Sequence, residues 1–343
     1  MNRSKAPSAD SVCRPSTIEL VPTLSAIVPA TNDPPTLARC RAAIREAADP
    51  PEEVIVVETA DEPGPAAARN EGARRAQGDV LVFVDADVVP HADAFTRVRA
   101  AFVRDPSLTA IFGSYDDDPA EPGVVSAFRN LLHHHVHQEG AGAASTFWAG
   151  LGAVRRDAFL AAGGFDALRY PLPSVEDIEL GLRLAAGGAR IELDPELQAT
   201  HLKRWTFGDM VRTDFSRRGV PWATLMLERG GAPSSLNLGW RHRLSALAAI
   251  GGLAAVLGRR PKGAALAGVA LVGLNAGFYG LLVRRRGPLA GALGIALHAV
   301  HHWTGTAAAA TALVRARSGS RDERAASPEL RDDARLGSRP GSP

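Results

Sequence analysis

Three short apolar runs alternate with segments of helical periodicity near the start of the chain, and this alternation limits the fold more than any other feature. The runs cover residues 25–29, 53–57 and 79–84 and are rich in β-branched residues. The segments between them, 36–48 and 64–77, have the spacing of amphipathic helices. Such alternation builds a parallel sheet with helices on both faces. The sequence therefore predicts an α/β fold, with a Rossmann-like and mostly parallel sheet flanked by helices.

The last third of the chain differs in composition. From 244 to 314 the residues are mostly Ala, Leu, Gly and Val, in three segments at 244–258, 264–283 and 289–314. The second is long enough to cross a bilayer, which needs about 20 residues. A buried helical hairpin is the alternative. Basic residues flank the segments on several sides, so their distribution predicts no topology. We expect transmembrane or membrane-associated helices over 240–314.

The ends of the chain, 1–23 and 315–343, are rich in Ser, Pro and charged residues, which predicts disordered tails around a folded domain at 24–230. The first tail lacks the apolar run of a signal peptide. Cys13 and Cys40 are the two cysteines, so a disulfide framework is not expected. These features predict a cell-membrane protein whose catalytic domain lies on the cytoplasmic side. A net charge of +2 gives no argument for a nucleic-acid partner.

Asp85 and Asp87 directly follow the third predicted strand. In parallel sheets ligands bind at the carboxyl ends of the strands. Mg²⁺ or Mn²⁺ takes oxygen ligands, often one or two from the protein and the rest from phosphate and water. An isolated pair of this kind is most often a solvated loop. The preceding strand and the ordered strand–helix units favour a site for a metal-bound diphosphate.

Glu176 and Asp177 precede an amphipathic segment at 178–184. Acidic residues in a first helical turn also stabilise the helix dipole by ~0.3–1 kcal/mol, so a structural role is the alternative. The functional interpretation is a general base that takes a proton from an acceptor hydroxyl. We assign that role to Asp177 first and to Glu176 second.

Five motifs then occur in a family-specific order. They are Val28-Pro29-Ala30-Thr31-Asn32, Ala68-Arg69-Asn70-Glu71-Gly72, Asp85-Ala86-Asp87, Gly163-Gly164-Phe165-Asp166 and Glu176-Asp177-Ile178-Glu179-Leu180. Over roughly residues 24–225 the chain resembles the family 2 inverting glycosyltransferases of the GT-A fold. This resemblance implies a nucleotide-sugar donor, a metal-bound diphosphate and one in-line displacement that inverts the anomeric centre.

The resemblance also implies roles for single residues. Asp85 would face the ribose and sugar of the donor, Asp87 would bind the metal together with Asp85, and Asp177 would be the base. The donor pocket would further include Pro29, Thr31, Glu58 and Arg69.

Two departures from the family pattern lie in that pocket. Glu58-Thr59-Ala60-Asp61 stands where the family commonly has Asp-Asp-Gly-Ser, and Ala30-Thr31-Asn32 where it has Thr-Tyr-Asn. The identity of the nucleotide base is left open for this reason.

His201-Leu202-Lys203-Arg204-Trp205 is similar to the Gln-x-x-Arg-Trp element of membrane-bound polysaccharide synthases, with His in place of Gln. The similarity implies that Arg204 holds the diphosphate and that Trp205 stacks on an acceptor. We include both in the predicted donor site, with His201 as a further metal ligand. A basic amphipathic surface against a bilayer is the alternative.

Four histidines, His133, His134, His135 and His137, form a second cluster. His133 and His137 share one helix face at a spacing that zinc sites use, but no Cys or His-Glu-x-x-His pattern accompanies them. We expect them to line an acceptor channel or to face solvent. The tail around 274–287 and His298 resembles the membrane region of some bacterial lipid-associated family 2 enzymes. That likeness implies a lipid, lipid-linked or glycan acceptor at the membrane.

Two other functions compete with this prediction. A sugar-phosphate nucleotidyltransferase would have a Gly-rich loop after the first strand, and this chain does not. A catalytically inactive membrane scaffold could keep the same fold, because fold alone does not establish activity. The joint presence of Asp85, Asp87 and Asp177 argues against the scaffold.

Overall fold

The predicted alternation of strands and helices forms in the computed structural model, which describes residues 21–31, 33–231 and 239–325. The first strands are β1 (Leu24–Pro29), β2 (Glu53–Val57) and β3 (Val80–Val84), with helices α1 (Leu37–Arg45) and α2 (Pro65–Arg75) between them. Every residue of β3 is buried. This agrees with its unbroken apolar run, which is typical of a strand covered on both faces of the sheet. The first 20 residues with Cys13, the last 18 residues and Asn32 lie outside the described residues.

The rest of the domain adds five strands and four helices before the chain leaves the sheet. They are β4 (Val88–Pro90), α3 (Ala94–Arg104), β5 (Leu108–Tyr115), α4 (Val124–Glu139), β6 (Gly142–Ala144), β7 (Leu151–Arg155), α5 (Arg156–Ala161), α6 (Glu176–Ala186) and β8 (Arg190–His201). The amphipathic segment at 178–184, which follows Glu176 and Asp177, forms part of α6.

All eight strands join one sheet in the order β2-β1-β3-β7-β5-β8-β4, with β6 paired to β8. β1 pairs in parallel with β2 and β3, and β5 with β8. β7 lies antiparallel between β3 and β5. Strands β1, β2, β3, β5 and β8 therefore point the same way, so their carboxyl ends share one edge. We call this the site edge.

The apolar residues within 190–193 indicate a short strand, but β8 continues through polar residues to His201. Its partners explain the extension. β5 pairs with it in parallel, and β4 pairs with its last residues, matching Val88 to His201. This pairing brings His201 to the site edge beside the loop that holds Asp87.

After the sheet the chain is helical. α7 (Phe207–Arg212) runs into a π-helical segment (Thr213–Gly219), which we call the π-turn, and then into α8 (Val220–Glu228). Three further helices follow, α9 (Trp240–Leu257), α10 (Pro261–Leu274) and α11 (Ala276–Ala325). α11 is interrupted at Gly287, which has a φ of 85° and precedes Pro288, and it continues past residue 314.

The segment predicted to cross a bilayer, 264–283, is broken. α10 ends at Leu274 and the next helix leaves at an angle of 75°. Asn275 explains the break, because its side-chain amide donates to Ser245 Oγ at 2.9 Å and to the carbonyl of Leu271 at 2.8 Å. Within the described residues, no single helix has the length and apolarity to span a membrane, and the bent pair 261–274 with 276–318 passes that test jointly.

The C-terminal helices share a core with the sheet domain. Phe128, Leu131 and Val136 of α4 pack against Phe278 and Leu282 of α11. The rings of Phe128 and Phe278 lie 5.6 Å apart.

At the site edge, Arg285 pairs with Asp117 in the loop after β5, and Arg286 donates to the carbonyl of Pro119. α11 therefore lies against the loop that borders the site edge.

Candidate active site

Asp85 and Asp87 sit at the site edge, in the loop that leaves β3. His201 Nε2 lies 3.7 Å from Asp87 Oδ2, so the carboxylate and the imidazole face each other. Burial raises the pKa of Asp87, but His201 and Lys203 lower it by more, and the net pKa is depressed. Asp87 is therefore ionised at neutral pH and suited to a cation.

Arg69 joins the loop of Asp85 and Asp87, which we call the metal loop, to helix α6, which we call the base helix. Its side chain is buried, and it donates from Nη2 to Asp85 Oδ1 at 2.6 Å and from Nη1 to Glu176 Oε1 at 3.1 Å. Burial raises the pKa of Asp85, Arg69 counteracts that rise, and the charge of Asp87 adds to it. Arg69 was predicted to lie near the nucleotide. In the structure its charged end is engaged by two carboxylates.

Asp177 lies at the start of α6, with one oxygen near the Ala149 amide at 3.2 Å and the other accepting from its neighbour Ile178 at 2.8 Å. Burial, followed by the charge of Glu176, raises the pKa of Asp177 to about 6. Glu176 is buried and accepts from the Ser174 amide at 2.8 Å as well as from Arg69. Of the two acidic residues, Asp177 therefore keeps more accessible surface and has the pKa of a general base.

The other predicted donor residues lie at the same edge but make fewer contacts. Pro29 ends β1 and is half-buried, while Thr31 and Glu58 are exposed in the loops after β1 and β2. The Ala30 amide donates to the carbonyl of Val57 at 2.9 Å, which keeps these two loops side by side. Their roles towards a nucleotide stay predictions.

Arg204 is exposed, whereas Trp205 is buried. The Trp205 ring packs near two cations, with Arg129 Cζ 5.0 Å and Lys203 Nζ 4.4 Å from its centroid. Its backbone amide donates to Ser126 Oγ at 2.9 Å. The predicted stacking of Trp205 on an acceptor stays a prediction, because much of its ring is already covered by protein.

An aromatic group beneath His201 was not singled out by the sequence. Tyr115, the last residue of β5, stacks on His201 with the ring centroids 4.2 Å apart and the planes 8° from parallel. Tyr115 also contacts His133 and Trp148, and His133 contacts His137. The sequence signal that could have identified Tyr115 is its position, as an aromatic residue at the end of β5.

The histidine cluster is part of this packing. Burial lowers the pKa of His137 to about 4, and its Nδ1 lies 2.8 Å from the carbonyl of Gly113. Within the described part of the chain, no set of three or more His, Cys, Asp or Glu side chains is arranged to hold a metal ion alone. The zinc-like spacing of His133 and His137 therefore corresponds to ring packing against Trp148.

The π-turn makes a second group of contacts that sequence reasoning missed. Asp214 is buried and accepts from Arg129 Nη1 at 2.7 Å, while His301 Nδ1 of α11 lies 2.7 Å from its other oxygen. Burial raises the pKa of Asp214, but Arg129 and His301 lower it by more, to about 2. A single carboxylate thus holds α4, the π-turn and α11 together.

The same turn reaches the base helix. Ser174 Oγ donates to the carbonyl of Arg217 at 2.7 Å, and Ser174 directly precedes Val175 and Glu176. Gly219 ends the turn where a Cβ atom would lie 2.5 Å from the carbonyl oxygen of Asp214 and 2.6 Å from Ala308 Cβ. Only glycine allows this approach of α11 without a shift, so the π-turn lies tightly between Ser174 and α11.

Comparison with known proteins gives one family match. The model of the family described as "Glycosyl transferase family 2" matches residues 59–161. The matched segment contains Arg69, Asp85 and Asp87, and it ends before Glu176, Asp177 and His201. No curated protein matches the sequence significantly.

Solved structures that match this chain in a structural comparison include a mannosyltransferase, PcManGT, from Pyrobaculum calidifontis in complex with GDP-Man and Mn²⁺. It has 16% identity and a TM-score of 0.49, over 85% of this chain and 87% of that one. GalNAc-T7, solved with UDP, GalNAc and Mn²⁺, has 15% identity and a TM-score of 0.41, over 54% of this chain and 44% of that one. A mycobacterial protein has 17% identity and a TM-score of 0.40, over 62% and 76%. Over residues 59–161, the chain is similar to glycosyltransferase family 2.

Proposed function

We propose that the protein transfers a sugar from a nucleotide-sugar donor to a hydroxyl acceptor, with inversion, at the cytoplasmic face of the cell membrane. The observation that carries the proposal is that two acidic groups lie at the site edge. Asp87 lies there beside His201, and Asp177 begins the helix that Arg69 ties to the Asp85 loop.

The residues at Asp87 fit a divalent cation. Two ligands each about 2.1 Å from one cation lie roughly 3 to 4.2 Å apart, and Asp87 Oδ2 and His201 Nε2 are 3.7 Å apart. The remaining positions would belong to diphosphate and water, as is usual for Mg²⁺ and similar hard cations. A bound Mg²⁺ or Mn²⁺ would neutralise the charge that develops on the leaving diphosphate.

Asp177 has the features of the base. Its raised pKa of about 6 lets it take a proton near neutral pH, and its Oδ2 is oriented by the Ala149 amide. The acceptor oxygen would bond to the anomeric carbon as the bond to the diphosphate breaks on the opposite face. The acceptor proton passes to Asp177, and the configuration inverts in one step.

The C-terminal helices support a membrane-associated enzyme with a lipid, lipid-linked or glycan acceptor. Among the described residues, fourteen of the twenty exposed large apolar side chains lie between 240 and 314. Exposed apolar surface on this scale marks a membrane or protein interface. α11 also contacts the loop at Asp117, so an acceptor held by these helices would lie near the site edge.

A donor screen tests the proposal. Detergent-solubilised protein with added membrane lipids would be given UDP-, GDP- and dTDP-sugars, with and without EDTA, and nucleoside diphosphate release would be measured. Release from one donor, lost with EDTA, is the expected result. Pyrophosphate release from a nucleoside triphosphate and a sugar phosphate would indicate a nucleotidyltransferase instead. Silence with every donor, in protein shown to be folded, would overturn the proposal.

A further inference from the structure

α9 and α10 form an antiparallel pair that we call the apolar hairpin, residues 240–274. The two helices approach closely, since a Cβ atom on Gly252 would lie 3.3 Å from Ala267 Cβ, and one on Gly263 would lie 3.3 Å from Ala255 Cβ. The later residue of α9, Ala255, faces the earlier residue of α10, Gly263, so the two helices run antiparallel and the chain reverses at the turn around Arg259. The hairpin is therefore a packed unit.

We propose that the apolar hairpin is the main element of this protein that enters the lipid, and that it engages anionic headgroups through its basic tip. This inference rests on the membrane association proposed above and identifies the part of the chain responsible for it.

The surface of the hairpin carries the first argument. Of the fourteen exposed large apolar side chains between 240 and 314, nine belong to the hairpin and five to α11. Among those of the hairpin, Leu247, Val256, Leu257, Leu266 and Val269 are 62–75% exposed. Neither 244–258 nor 263–274 contains a charged residue. A helix that is apolar all round is stable when protein or lipid surrounds it, and most of this hairpin has no protein around it.

The tip of the hairpin carries the second argument. Arg259, Arg260 and Lys262 are all exposed at the turn between the two helices. Basic residues beside an apolar segment are attracted to anionic lipid headgroups, and each one adds to the binding. Charge and apolar surface thus point to a lipid surface, because a protein partner would need a complementary acidic rim.

The base of the hairpin is fixed to the rest of the protein. Asn275 bonds to Ser245 across the two helices, and Arg241 Nη2 donates to the carbonyl of Leu274 at 2.8 Å. Arg241 also pairs with Glu139 of α4 at 2.7 Å. The hairpin therefore projects from a polar, anchored base.

α11 is placed differently. Trp303 Nε1 donates to the carbonyl of Ala249 at 2.8 Å, and His301 is held by Asp214. Phe278, Leu282 and Ala308 are fully buried. A large part of the apolar surface of α11 is thus already covered by the sheet domain and by α9, and less of it is left for lipid.

The test uses the full chain with single labelling sites, in a Cys13→Ser background that keeps the buried Cys40. An environment-sensitive fluorophore would be attached at Leu257→Cys or Leu266→Cys in the hairpin. The matched control is Leu168→Cys, an 82% exposed leucine in the sheet domain. Labelled protein would be mixed with phosphatidylcholine vesicles, with or without phosphatidylglycerol, containing lipids spin-labelled on the acyl chain.

We expect quenching of the hairpin labels at least 5-fold greater than at the Leu168 position, and flotation with anionic vesicles at least 10-fold stronger than with neutral ones. Replacing Arg259, Arg260 and Lys262 with Gln should remove most of that preference for anionic vesicles. Flotation with equal quenching at all three positions would place the lipid contact elsewhere and overturn the inference. Failure to float would overturn it as well. Nucleoside diphosphate release by the same preparations is measured separately. It tests the transferase proposal, whereas quenching and flotation test the role of the hairpin.

Discussion

Arg69 Nη2 donates a hydrogen bond to Asp85 Oδ1 at 2.6 Å, and only 4% of the surface of Arg69 is exposed. The same guanidinium reaches Glu176 at 3.1 Å, so one cation connects the loop after β3 with the first turn of α6. The metal loop and the base helix therefore cannot move apart without breaking a buried ion pair. This connection explains how two segments about ninety residues apart in sequence keep a fixed geometry.

Replacing Arg69 with Met should destabilise the protein strongly. Removing one partner of a buried ion pair leaves a carboxylate buried and unpaired, which costs about 3–5 kcal/mol. Urea denaturation in detergent would measure the loss. Arg74→Met is the matched control, because Arg74 pairs with Glu71 on the same helix but is 62% exposed. Surface pairs contribute about 0–1 kcal/mol. Equal losses in the two variants would contradict the structural role of Arg69.

The pH dependence of turnover should follow Asp177. A general base must be ionised, and its pKa of about 6 means that kcat should fall tenfold per pH unit below that value. Glu176 raises this pKa through its charge, so Glu176→Gln should move the acidic limb of the kcat profile to lower pH. A limb that stays in place in the Glu176→Gln variant would show that another group titrates.

The two carboxylate sites should differ in their effect on donor binding. Asp87→Ala would remove the proposed ligand of the cation that holds the diphosphate, so donor binding and turnover should be lost together. Asp177→Asn keeps the shape of the site but removes the base, so turnover should fall by at least about 100-fold while donor affinity stays nearly unchanged. Calorimetric titration of donor in the presence of Mn²⁺ measures both. Equal donor affinity in the two variants would contradict this division of roles.

Ser174 should position the base through the π-turn. Ser174→Ala removes the hydrogen bond to the carbonyl of Arg217, and a small displacement of reacting groups can cost up to about 100-fold in rate. We expect a roughly 10-fold lower kcat with unchanged donor affinity and melting temperature. Ser216→Ala is the control, because Ser216 bonds to Arg212 within its own helical segment. A similar loss in both variants would point to a general weakening of the turn.

Local patterns predicted the first half of the fold well. The β-branched runs at 25–29 and 53–57 and the run at 79–84 form β1, β2 and β3 within one residue of their expected limits. A strand is recognised from apolar residues that alternate or follow one another within a short window, so residues close in sequence are enough to predict it. The position of Asp85 and Asp87 at the site edge could be predicted for the same reason, since they directly follow such a run.

Contacts between distant segments could not be read from those patterns. The strand at 190–193 extends to His201 because β4 and β5 pair with it, and this pairing involves residues about 80 to 110 positions away. Tyr115 and Asp214 were missed because each acts through partners elsewhere in the chain, His201 in one case and Arg129 with His301 in the other. The break at Asn275 was missed because one polar residue hardly changes the mean hydropathy of its segment.

The packing of α4 against α11 has a consequence for how the molecule unfolds. Phe128 and Leu131 of α4 share one core with Phe278 and Leu282 of α11, so removal of α11 would uncover part of α4. Loss of α11 should therefore lower the melting temperature of the sheet domain, which differential scanning calorimetry would measure. A shortened protein that ends before Trp240 would carry an uncovered aromatic face and should aggregate.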